Sequence, residues 1–152
     1  MSTNEIHDKI RYLFDRPWDE DLSYSEEEEL LDEAKRLINE AGWPATYTAA
    51  VNYLLEACNT PDSAINFAHM FWGYGWYENP IPNPYRFLAY FYYRINLEVE
   101  KYDSPGILDS LAITILPRAG YREADLMHNE DYIPEYDPRI LAEVERLRNK
   151  TI

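Results

Sequence analysis

The sequence predicts an all-α fold: a single acidic helical domain spanning residues 1–152, with six or seven helices joined by proline-containing loops. Three observations carry that expectation. Apolar residues recur with a 3.6-residue period along most of the chain. Five helix starts share an X-Pro signal, at Pro44, Pro61, Pro84, Pro105 and Pro138. Hydrophobic residues make up 46% of the chain, enough for a core, and its ten prolines are not clustered in a disordered tract, several sitting where a helix would begin.

The elements follow in order. Residues 4–14 place Ile6, Ile10, Leu13 and Phe14 on one stripe, and Arg16-Pro17 ends it, because the residue before proline is pushed out of the α region. Ser25-Glu26-Glu27-Glu28 has the capping-box pattern, predicting a helix over 25–41 with Leu30, Leu31, Ala34, Leu37, Ile38 and Ala41 in register and Gly42 beyond its end. Trp43-Pro44 opens the next helix, with Tyr47, Ala50, Val51, Leu54, Leu55 and Cys58 on one face. Thr60-Pro61-Asp62-Ser63 opens another. Its stripe is Ile65, Ala68 and Trp72, with Phe67 and Phe71 beside it, and Gly73 stops it. Residues 73–84 read as a glycine- and proline-braced loop.

Asn83-Pro84 caps a long helix over 84–101, with a core stripe of Leu88, Phe91, Tyr92, Ile95 and Val99. A second stripe, Arg86, Tyr90, Tyr93, Arg94 and Leu97, makes this helix apolar or aromatic around most of its circumference, so it is central or reserves a face for a partner. Ser104-Pro105 precedes 107–116, where Ile113-Thr114-Ile115 leaves helix and strand both open. Residues 117–136 are polar, with one weak helical turn over 122–128. Asp137-Pro138 opens the last helix, with Ile140, Leu141, Val144 and Leu147 inward and Arg146, Arg148 and Lys150 matching the negative helix end. The X-Pro spacings are irregular and argue against a solenoid.

Charge narrows function. The net charge is −14, from 28 acids and 14 bases. That balance argues against direct nucleic-acid binding, which needs a basic surface, and against docking on anionic lipid. Residues 1–40 hold 13 acids and 5 bases, residues 41–97 hold 3 and 2, and residues 98–152 hold 12 and 7. The nearly uncharged, aromatic middle is the expected core, with the two ends supplying a negative exterior. No run is apolar enough to span a membrane, the first residues lack a secretory signal, and the lone Cys58 fits a reducing, cytoplasmic setting.

Chemical motifs are sparse. His7, His69, His128 and Cys58 have no zinc-ligand spacing, and the cluster Glu123, Asp125, His128, Glu130, Asp131 matches no calcium loop, so no metal and no cofactor is expected. Cys58 sits on an apolar stripe, which favours packing over a thiolate–imidazole pair with His69. Nucleophile-elbow and phosphate-loop motifs are absent. In the aromatic centre only Glu56, Asp62 and Glu78 could serve as a buried catalytic carboxylate.

The segment 71–94 stands out. Tyr74, Trp76 and Tyr77 fall off the helical period on a proline-braced loop, and Arg86, Tyr90 and Arg94 follow. Trp, Tyr and Arg dominate interface hot spots. The expected partner-binding set is therefore Tyr74, Trp76, Tyr77, Arg86, Tyr90 and Arg94, flanked by the acids Glu27 and Glu28. The leading expectation is a non-enzymatic acidic protein that associates with and inhibits a basic protein, such as a nucleic-acid enzyme or a toxin. Immunity proteins and phage inhibitors act in this way, an analogy of charge and size alone. A homo-oligomer with an aromatic self-interface is the alternative. A small enzyme with an acidic residue in an aromatic pocket is the third.

Overall fold

In the computed structural model, which describes residues 1–16, 22–95, 106–118 and 137–150, the regular structure is helical throughout. The helices are α1 (Thr3–Phe14), α2 (Tyr24–Ala41), α3 (Trp43–Ala57), α4 (Pro61–Gly73), α5 (Pro84–Ile95), α6 (Gly106–Arg118) and α7 (Pro138–Lys150), with a single 3-10 turn at Trp76–Glu78 between α4 and α5. No strand occurs among the described residues.

Local chemistry sets most of the boundaries. The Ser2 hydroxyl accepts the Glu5 N–H at 3.2 Å and starts α1. A capping box starts α2, but from Ser23 and Glu26 rather than Ser25 and Glu28. Both serines have glutamate three residues on. The earlier one lets the helix begin two residues sooner, and the Ser23 carbonyl accepts the Glu27 N–H at 3.0 Å. Gly42, at φ 85, ends α2 and begins α3 in one residue, a backbone conformation that a side chain would strain. Thr60 and Ser63 form the capping box of α4, with proline at the first helical position.

Asn83 begins α5 by accepting the Arg86 N–H at 3.2 Å, and it does so at φ 47, a left-handed conformation that asparagine tolerates better than most residues. Asp137 opens α7, taking the Arg139 N–H at 3.0 Å. The four X-Pro starts at 44, 61, 84 and 138 are thus real helix starts, whereas Pro105 and residues 96–101 of the expected long helix lie outside the described residues. So do the weak turn over 122–128 and the acidic cluster at 123–131.

Packing decides what propensity leaves open. The segment 107–116 is helical. Leu108, Leu111, Ala112, Ile115 and Leu116 are buried at the i, i+3, i+4, i+7, i+8 spacing, so burial of that face outweighs the strand preference of Ile113-Thr114-Ile115. In α4 the buried face is Ala64, Phe67, Ala68, Met70 and Phe71, while Ile65 and Trp72 are only half-buried. The helix is turned so that its phenylalanines point inward beside Ala68, while Ile65 and Trp72 of the expected stripe lie at the rim. In α7, Ile140 and Val144 are buried, but Leu141 is 44% exposed.

Helix α5 packs against α3, α4, α6 and α7, and α1 against α2, α3 and α4. Between them runs an aromatic spine. Phe14 of α1 stacks on Phe67 of α4 at 4.4 Å between ring centroids, Phe71 lies 5.0 Å from Phe87, and Phe87 meets Phe91 edge-on at 5.2 Å. Such rings bury large apolar areas and add directional attraction.

Candidate functional site

The expected partner-binding residues separate into three places. Trp76 is core, not contact surface. It is 1% exposed and is surrounded by the rings of Phe14, Trp43, Phe71 and Tyr74. The 3-10 turn explains this: Gly75 takes φ 70 and turns the chain back, driving the indole under α4. The indole N–H finds no acceptor among the described residues. Tyr74 is half-buried, and its hydroxyl donates to the Leu13 carbonyl, tying the end of α1 to the end of α4. Its pKa is raised by burial, with the nearby Arg16 opposing.

Tyr77 sits elsewhere. It stacks on Trp72 at 4.4 Å and carries the Arg118 guanidinium over its ring at 5.3 Å. Arg86, Tyr90 and Arg94 project from the half-buried side of α5. Arg86 Nε donates to Glu143 of α7 at 3.2 Å, and Arg94 donates to the Leu55 carbonyl at the end of α3 while its guanidinium lies over Tyr93. Burial raises the Tyr90 pKa, with Arg86 pulling the other way. These arginines therefore join helices within the chain.

Glu27 and Glu28 are fully outward on α2, which packs on α1 and α3 rather than forming a flank to α5 and α7. The acids that the fold does bring together are different ones. Glu5 and Asp8 of α1 face Glu29 and Glu33 of α2 across an open groove of about 500 Å³, with Lys9 and Tyr12 also lining it. Lys9 reaches Glu33 at 3.2 Å, and Arg36 contacts the same carboxylate. Among the described residues Asp8 has only a loose contact with Arg11, at 3.6 Å, and both side chains are exposed. Glu5 and Glu29 face the groove with no ion pair among the described residues. Helical spacing already places Glu5, Asp8 and Tyr12 together, and Glu29 with Glu33. That α1 and α2 lie side by side with those faces adjoining is a tertiary fact.

The remaining chemical candidates differ in burial. Cys58 is 3% exposed, and burial pushes its thiol up to about 11 against the partial opposition of Arg94, so the nucleophilic thiolate is scarce near neutral pH. His69 is half-buried and has its pKa lowered by burial. Glu56, Asp62 and Glu78, the carboxylates considered for catalysis, are all exposed. Among the described residues no three His, Cys, Asp or Glu side chains converge as a metal site, and no helix is long and apolar enough to cross a membrane.

Comparison with known proteins yields no matching family, no matching curated protein and no matching solved structure.

Proposed function

We propose that this chain is an acidic helical binding protein that docks on a basic protein, in a cytoplasmic setting, and inhibits it. The observation that carries the reading is the α1–α2 groove, which Glu5, Asp8, Glu29 and Glu33 line around a single lysine, Lys9, on a chain of net charge −14. Helix α2 alone holds seven acids against two bases, and Glu27 and Glu28 extend its negative charge outward. Like charges gathered in this way repel each other in the free protein and are relieved by a cationic partner. Tyr12 on the groove wall, 38% exposed, and Tyr24 at the start of α2, 75% exposed, supply apolar contact beside the acids. Trp76 takes no part in contact, so the anchoring role expected of it passes to these tyrosines.

The test is capture of partners from the native cell on the immobilised full chain, at low and then high salt, beside the charge-reversed variant Glu5→Lys/Glu29→Lys. The reading expects a basic protein that is retained at low salt, released by high salt and missed by the variant. Equal retention by both proteins would count against the groove. A retained partner that is acidic or neutral would count against the whole reading.

A further inference from the structure

On another part of the molecule, α3, α5 and α7 meet around a small hollow of about 190 Å³, lined by Leu55, Arg86, Tyr90, Glu143, Arg146 and Leu147. Glu143 is its centre of organisation. The residue is only 7% exposed, and its carboxylate lies between two guanidinium groups. One carboxylate oxygen takes the Arg86 Nε–H at 3.2 Å, and the other takes an N–H of Arg146. Both oxygens are thus engaged, whereas each arginine has used one donor of five. The terminal nitrogens of Arg86 and the Nε and second terminal nitrogen of Arg146 make no other hydrogen bond among the described residues, nor does the Tyr90 hydroxyl.

The hollow therefore presents donors held in place by a buried carboxylate, with two leucines beside them. We propose that it binds a small aliphatic carboxylate. Three features select that ligand. Two guanidiniums and one carboxylate leave a single positive charge, which matches a monoanion better than a phosphate dianion. Planar guanidinium groups present paired donors that fit a carboxylate. The apolar side, Leu55 and Leu147, accepts a short alkyl stem, and the space equals roughly six water molecules. This site is independent of the acidic groove, and neither proposal needs the other.

The test uses the full chain with butyrate as probe, following the Arg86 and Arg146 side-chain Nε–H resonances by NMR. Butyrate should shift both resonances saturably, and butanol, the same stem without charge, should shift neither. Arg146→Gln should weaken butyrate by about tenfold or more, because one charged donor is lost. Arg146 has 62% of its side chain exposed, so this variant should keep its fold, which a thermal melt verifies. Tyr90→Phe, which removes only the hydroxyl, should weaken butyrate by about threefold. Absence of a saturable shift, unchanged affinity in both variants, or tighter binding of inorganic phosphate than of butyrate would each overturn the proposal.

Discussion

Trp76 shows how one residue can reverse a functional expectation. Off the helical period and on a proline-braced segment, its sequence context predicts an exposed anchor. In the fold it is a large, fully enclosed side chain, packed against four other aromatic rings. Trp76→Ala should accordingly destabilise the protein by about 3–5 kcal/mol, the range for truncating a buried aromatic, as read from chemical denaturation. A loss under about 0.5 kcal/mol, typical of surface changes, would return Trp76 to the surface. Cys58 makes a second test at this scale. Because it is 3% exposed and its thiol is pushed up to about 11, a thiol reagent at pH 8 should label it only as fast as the protein opens. Immediate labelling of the native protein would contradict that burial.

Among the elements, α5 is the centre around which α3, α4, α6 and α7 pack. It contributes Phe87, Leu88, Ala89 and Phe91 to the core, each fully enclosed, and it packs on four other helices. Phe91→Ala should cost about 3–5 kcal/mol, whereas substitutions at the outward Leu141 of α7 should cost little. The start of α5 is a separate test. Asn83 combines a cap hydrogen bond with a left-handed backbone, so Asn83→Ala should lose about 1–2 kcal/mol from the missing cap, plus the cost of placing alanine at positive φ. Asn83→Gly should recover the backbone part, and equal losses in the two variants would assign the whole effect to the side chain.

For the whole molecule, charge and protonation give the measurable consequences. Reversing Glu27 and Glu28 should lower stability only slightly: both side chains are exposed, but Glu27 lies in the first turn of α2, where a positive charge opposes the helix dipole. It should slow association with a basic partner, and do so far more at low than at high ionic strength, since exposed charges are screened over about 8 Å in physiological salt. Stability should also fall on both sides of neutrality. Burial lowers the pKa of His69 below 6.5, so the unfolded chain takes up a proton that the folded one refuses. The resulting loss begins as pH drops through 6.5 and should be absent in His69→Gln. Cys58 behaves in the opposite sense. Its pKa is raised from 9.0 to about 11, so its contribution is complete below pH 9 and lost as pH climbs through the folded value. Melts across pH check both limbs.

What the sequence alone determined is the set of local choices. Helical class follows from 3.6-residue periodicity, and most starts follow from Ser, Thr, Asn and Asp caps, of which Thr60, Asn83 and Asp137 have proline beside them, since both signals act within one turn of backbone. Even the capping box of α2 differs by only two residues, because two serines compete for the same role. The tertiary structure decided everything that depends on which faces adjoin. It made 106–118 a helix by burying one side of it, rotated α4 so that Phe67 and Phe71 point inward, and enclosed Trp76. It also dispersed the aromatic–arginine set of 71–94 into a core, a surface stack and an α5–α7 junction, while gathering Glu5, Asp8, Glu29 and Glu33 into one groove. The physical reason is range. Capping and periodicity are encoded within a few residues, but a site made of side chains from two or three helices exists only after those helices pack, and packing is a property of the whole apolar surface.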